Sequence, residues 1–250
     1  MVIFFIFIIG LIAGSFLNVC IYRIPREKSL LYPPSHCPQC ENPIKWFDNI
    51  PLVSYLLLKG KCRFCHHSIS IRYPLVEALT GILFSLSYFF HPSLNILFFK
   101  NLIFISFLIP IFFIDLEKKI IPNSLSYGLI ISGIIFGILT RSFFSSLWGA
   151  GLASAIFLAI YLVGYLLLRE EGIGMGDIKM AMGIGTFLGW KISLVAFFIS
   201  FLFGAVVAIL LLLTGLKKRK DKLPFAPFLT SGALISLFYG ERLLHLYLTL

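Results

Sequence analysis

Two aspartates and four cysteines are the residues of this sequence whose types and spacing could do chemistry. Asp115 closes the apolar run Ile111-Phe112-Phe113-Ile114, and Asp177 closes Gly174-Met175-Gly176 and opens the next apolar stretch. Carboxylates at the border of long apolar runs are costly to keep, and function is the usual reason for them. Held together, two carboxyls share one proton, because both cannot ionise at short distance. The ionised one draws a proton from a water that attacks a peptide carbonyl, while the protonated one donates to the carbonyl oxygen. The roles then reverse for the leaving amine. Each aspartate alone has a plainer reading: Asp177 as a helix cap after a glycine turn, Asp115 as an interfacial charge beside lysines. The pair, with Gly174 and Gly176 allowing a tight turn and leaving free amides at a helix start, is what points to peptide cleavage.

The cysteines form two Cys-x-x-Cys knuckles, Cys37-Pro38-Gln39-Cys40 and Cys62-Arg63-Phe64-Cys65. Two such knuckles supply four thiolates to one tetrahedral metal, with zinc the expected ion and iron its main rival. A loop of this size buries little apolar surface, so a metal would supply folding energy that its core lacks. Disulfides or unmodified thiols are the alternative, and a reducing cytosolic location argues against disulfides. With four closed ligands and no spare carboxylate nearby, the site reads as structural. His36 and His66 adjoin the ligands and could substitute for one, though such neighbours are more often surface residues, and Cys20 reads as a packed thiol inside a helix.

The elements that must position these groups are membrane helices. Of the 250 residues, 59% are hydrophobic and only 13% charged, far from the composition of a soluble domain. The expectation is an all-α polytopic membrane protein with about eight transmembrane helices and a small cytosolic four-Cys loop domain after the first. The apolar runs are about 2–22, 73–90, 96–114, 124–140, 143–168, 178–190, 192–215 and 227–248, the sixth short for a span. The corresponding organisation is a first helix at 1–22, a zinc-knuckle loop at 23–72 and a transmembrane bundle at 73–250. The net charge of +10 does not indicate nucleic acid, because the positive residues sit in the breaks between apolar runs. With the first loop in the cytosol, all but four (Lys100, Arg141, Lys191 and Arg242) of the 21 basic residues fall on the cytosolic side, as the positive-inside rule demands. The N-terminus is then outside, the first run is a retained helix rather than a signal peptide, and both aspartates lie at cytosolic helix ends. Glu117, Glu170 and Glu171 flank them and could attract a basic peptide.

Rival classes remain. A proton-coupled transporter also uses intramembrane carboxylates, but places them near the midplane, often on broken paired helices. A metal-stapled scaffold would tolerate loss of Asp177.

In these residues the chain resembles the type IV prepilin peptidases, bifunctional leader peptidases and N-methyltransferases of the GxGD membrane aspartyl protease group. The resemblance runs along nearly the whole length. It takes in Gly14-Ser15-Phe16-Leu17-Asn18-Val19, Tyr22-Arg23-Ile24-Pro25, both knuckles, Asn49-Ile50-Pro51 with Ser54-Tyr55, and Arg72-Tyr73-Pro74-Leu75-Val76-Glu77. Asp115 with Pro122, Gly174-Met175-Gly176-Asp177-Ile178-Lys179, Gly189-Trp190 and Pro224-Phe225-Ala226-Pro227-Phe228 complete it, with Ala226 where glycine is more usual. The resemblance implies a bacterial inner-membrane enzyme that cuts a short basic leader from pilin-like precursors serving pili or secretion. It implies Asp115 and Asp177 as catalytic residues, Gly174, Gly176 and Lys179 as their supporting turn, and Cys37, Cys40, Cys62 and Cys65 as zinc ligands. It further implies methylation of the new N-terminal residue with S-adenosylmethionine. No Gly-x-Gly-x-x-Gly loop after a strand marks a Rossmann site, so Arg72 and Glu77 are the candidates for a polar pocket near that cofactor; a helix-start charge and an interface anchor are their plainer readings.

Overall fold

The computed structural model describes residues 1–168, 174–216 and 223–249. Among them there is no strand, only two isolated bridges, His36 with Pro43 and Lys61 with Ser68. The chain divides into two compact units, Met1–Leu94 and Asn95–Leu250.

In the first unit, α1 (Val2–Arg23) and α3 (Arg72–Phe90) pack side by side. Gly10 and Gly14 stand four residues apart on α1, where small residues let two membrane helices approach closely. A Cβ on Gly14 would come within 2.7 Å of the Glu77 Cα. The Asn18 amide ties the pair by donating to the Tyr73 carbonyl at 3.0 Å. Between the two helices the chain makes short 3-10 turns at Ile24–Arg26 and Trp46–Asn49 and a brief helix, α2 (Val53–Leu57).

The second unit holds α4 (Ile96–Lys118), α5 (Asn123–Leu139), α6 (Phe143–Leu168), α7 (Met175–Leu213) and α8 (Ala226–Thr249). The Asn95 side chain caps α4 by accepting from the Phe98 amide. The helix α7 packs on α5, α6 and α8, and α4 packs on α5 and α8. Phe104 stacks on Phe187 at 4.7 Å and Phe157 meets Phe197 at 5.1 Å, with Leu129, Met180 and Ile184 fully buried around them.

Each of the eight expected runs lies in a helix, but the sixth and seventh share α7. The break between them is at Gly189, whose φ of 73° and ψ of 169° only glycine adopts readily. The part before it, from Met175, is about 21 Å long, short of a full crossing. Five of the described helices are long and apolar enough to cross a membrane: α1, α3, α4, α6 and α7. The segment 217–222, whose five lysines and arginines are among the basic residues expected on the cytosolic side, lies outside the described residues.

Candidate functional site

Asp115 sits in the last turn of α4, which stops when Lys119 turns left-handed (φ 55°) and donates its amide to the Asp115 carbonyl at 2.8 Å. The side chain is buried, and its Oδ2 accepts the Ala226 amide at 3.0 Å. Ala226 is the first residue of α8 and Pro227 the second. The Ala226 amide is therefore one of the unclaimed donors at a helix start, where the helix dipole favours a negative charge. The Asp115 carboxylate caps another helix.

Asp177 lies in the first turn of α7. Its Oδ2 accepts the Gly174 amide at 3.1 Å, half of a capping box. Its Oδ1 is buried with no hydrogen-bond partner among the described residues. Gly176 packs on Ile121 and Lys179 on Asn123, so the start of α7 that carries Asp177 lies against the α4–α5 connection, just past the turn of α4 that carries Asp115. Each carboxyl is thus held through one oxygen by a backbone amide.

The rest of the turn explains why it has this sequence. A Cβ on Gly176 would stand 3.0 Å from the Ile121 Cβ, so the α4–α5 connection presses directly on the glycine. Lys179 does not pair with either aspartate. Its Nζ donates to Asn123 Oδ1 at 2.8 Å and lies 5.2 Å from the centre of the Tyr127 ring, tying the start of α7 to the start of α5. Of the three glutamates expected to attract a basic peptide, Glu170 and Glu171 lie outside the described residues.

In the first unit the four cysteines come together, with all four Sγ atoms within 4.8 Å of one another. The Cys37–Cys65 and Cys40–Cys62 separations are 3.8 and 4.0 Å. Four thiolates around zinc at about 2.3 Å stand about 3.8 Å apart, so the set fits that ion. The two knuckles repeat one backbone design. Cys37 and Cys62 each donate to a carbonyl five residues on (Asn42 and His67) and accept from an amide four residues on (Glu41 and His66). Glu41 and His66 both take left-handed conformations. Amides of Cys65 and Phe64 draw the Cys62 thiol down, while burial and the neighbouring thiols push Cys65 up, so the cluster places its first negative charge on Cys62. Asp48 clamps the second knuckle through Arg63, accepting from Nε at 2.8 Å and Nη2 at 2.6 Å, and this holds its carboxyl below the usual range. His36 and His66 are not part of the cluster.

Beside the knuckles, still in the first unit, is a cavity of about 450 Å³, within the range of small-molecule sites. Arg72 and Glu77 both line it, with Ser15 and Asn18. Glu77 is buried and its Oε2 accepts the Leu52 amide at 2.8 Å. Asn18 Oδ1 is buried without a partner among the described residues. Sequence reasoning had no role for Asn18, Leu52 or the Ala226 amide. Only Pro227 gave a hint, since proline in a first turn marks a helix start and its free amides.

Comparison with known proteins gives two domain matches: residues 8–91 match the bacterial peptidase A24 N-terminal domain and residues 102–209 the type IV leader peptidase family. A prepilin leader peptidase/N-methyltransferase of Aeromonas hydrophila is 34% identical over 98% of this chain and 93% of its own length. One from Bacillus subtilis (strain 168) is 36% identical over 97% and 96%. One from Myxococcus xanthus (strain DK1622) is 38% identical over 84% of this chain, which spans only 63% of that relative. No solved structure matches the chain.

Proposed function

The chain belongs to the type IV leader peptidase family, and from that premise we infer that it is a membrane aspartyl endopeptidase. It removes the short basic leader of type IV prepilin-like precursors and N-methylates the residue thereby exposed. One observation carries the proteolytic half: two border carboxyls, Asp115 and Asp177, on helix ends packed at the α4–α5 connection, each anchored to a backbone amide through a single oxygen. That arrangement fixes the pair in orientation while leaving atoms free to hold one proton and polarise one water. Asp115, at the positive start of α8, is the better stabilised as the anion, and so is the residue we assign to activate water. Asp177, whose Oδ1 has no partner, then carries the shared proton to the scissile carbonyl. Gly174, Gly176 and Lys179 hold the turn in place.

The methyl-transfer half draws on the first unit. Its 450 Å³ cavity offers acceptor atoms, the Glu77 carboxylate and Asn18 Oδ1, to a cationic group, and Arg72 to an anionic one. These fit S-adenosylmethionine, which carries both charges and supplies, when bound, an electrophilic methyl group. The four cysteines hold zinc as a staple for the loop at 23–72, which serves methyl transfer, while the bundle that follows carries the protease. The N-terminus lies outside a bacterial inner membrane and the dyad on its cytosolic side.

The deciding experiment incubates the purified protein with a precursor bearing a lysine-containing leader and follows its mass. Loss of the leader and gain of one methyl group on the mature chain are expected. An intact precursor after prolonged incubation rules out the proteolytic reading.

A further inference from the structure

The short helix α2 presents its apolar side chains outward. Val53, Leu56 and Leu57, spaced as one face of a helical turn, are 48%, 74% and 77% exposed, whereas Ser54 is buried. The Ser54 hydroxyl donates to the Phe47 carbonyl at 2.8 Å and accepts the Ile50 amide at 3.0 Å. This fastens α2 to the 3-10 turn Trp46–Asn49, so Trp46, 81% exposed, belongs to the same small unit. Such a face, outside any candidate span, marks a docking surface.

Its depth is fixed by one hydrogen bond. Leu52, the residue that opens α2, donates its amide to Glu77 Oε2. It does so from a left-handed backbone (φ 59°) that leucine rarely adopts. Glu77 is not at the end of α3 but five residues inside it, about 7.5 Å along the axis from Arg72. On the other side, α1 touches Glu77 at Gly14, about 13 Å before α1 ends at Arg23. So α2 is pinned beside the first turns of α3 and the closing turns of α1, both candidate membrane spans. The flanking charge is basic, with Lys45 before the unit and Lys59 and Lys61 after it, while Asp48 is taken up by Arg63.

We propose that α2, with Trp46, is an interfacial anchor that beds Val53, Leu56 and Leu57 into the headgroup–acyl boundary of the leaflet where α1 ends and α3 begins. The lysines beside it favour anionic lipid, as on other amphipathic surface helices. The occupant is lipid because the depth, the apolar face and the basic rim are what that boundary asks for. Leu52, Ile50 and Leu58 also line the cavity, so the anchor holds one of its walls.

The test uses the full chain in lipid nanodiscs. A Trp148→Phe/Trp190→Phe variant leaves Trp46 as the only tryptophan, and Leu57→Trp with Trp46→Phe added reports from α2 itself. Lipids brominated high on the acyl chain should cut the emission of both reporters by about half or more, with little quenching by aqueous acrylamide. Anionic lipid should deepen the bromine effect, and Lys59→Gln/Lys61→Gln should remove that dependence. Strong acrylamide quenching with no bromine effect overturns the proposal. Protection from both quenchers also overturns it, because protein, either a second copy or a precursor segment, would then cover the face. Should Leu57→Trp not fold, the native Trp46 reading decides alone.

Discussion

Asp115 and Ala226, 111 residues apart in sequence, meet where α4 ends and α8 begins, the carboxylate Oδ2 accepting the amide at 3.0 Å. A helix start is thereby spent on orienting a buried acid. Ala226 is fully buried, so its amide has no water to turn to, and the bond caps α8 as well as orienting Asp115.

Replacing either carboxyl by its amide keeps the shape and one acceptor oxygen but removes the shared proton. Asp115→Asn and Asp177→Asn should each slow leader removal by about 10³-fold. Both variants should still fold, because an amide oxygen can accept from Ala226 or Gly174. The check is precursor mass against time beside a thermal melt. Normal cleavage by either folded variant ends the proton-sharing account.

Ala226→Pro deletes the donor at a helix position where proline is tolerated, while its ring must be accommodated at a fully buried site. Loss of a hydrogen bond to a charged group is worth about 1.5–3 kcal/mol. If that bond orients Asp115 in the transition state, cleavage should fall about 10- to 100-fold. Ala226→Gly keeps the amide and should retain activity. Steady-state cleavage of both, with melts to exclude unfolding, separates orientation from simple packing.

Most of this site was legible in the sequence because membrane burial makes polar residues conspicuous. Asp115 and Asp177 stand out against apolar runs, and both knuckles are readable from spacing alone. What was not legible involves backbone donors. Nothing in the letters Phe225-Ala226-Pro227 says which distant side chain will claim an amide, nor that Leu52 will reach Glu77. Helix count failed to resolve for a related reason. Residues 178–190 and 192–215 look like two runs, but the break that separates them is a single glycine conformation at Gly189, and a hydropathy pattern does not register a backbone angle.

A Cβ on Gly176 would stand 3.0 Å from the Ile121 Cβ, so one of the two must give by a few tenths of an ångström. Gly176→Ala should cost about 1–3 kcal/mol by overpacking and shift Asp177 enough to slow cleavage. Ile121→Ala should restore part of both, a coupling of about 0.5–3 kcal/mol between contacting residues. Melting and cleavage measured over the four-member cycle will show it. Strict additivity would mean that the two residues do not press on each other in the membrane.

Zinc content, thiol reactivity and stability should move together. The purified protein should carry one zinc, and Cys40→Ser or Cys62→Ser should lower that occupancy. Chelation should make Cys37, Cys40, Cys62 and Cys65 reactive and lower the melting temperature, because a site of this kind contributes folding energy directly. Leader removal should outlast that loss, since no ligand lies in the unit that carries Asp115 and Asp177. Metal-free protein with unchanged stability would deny the staple.

Glu77 separates the two activities. Gln at this position can still accept the Leu52 amide, so α2 and the cavity wall should stay in place, while the charge offered to a cationic ligand is gone. Glu77→Gln should therefore leave leader removal within about twofold of normal and reduce methylation of the mature N-terminus about tenfold or more, the worth of one charged hydrogen bond. Binding should show the same origin. Wild-type protein should prefer S-adenosylmethionine, a sulfonium cation, over its neutral demethylated product, and Glu77→Gln should lose that preference. Equal affinity of the wild type for the two would leave the cavity without a reason for its buried carboxylate to face the donor. A matching loss of cleavage would instead assign Glu77 to the fold.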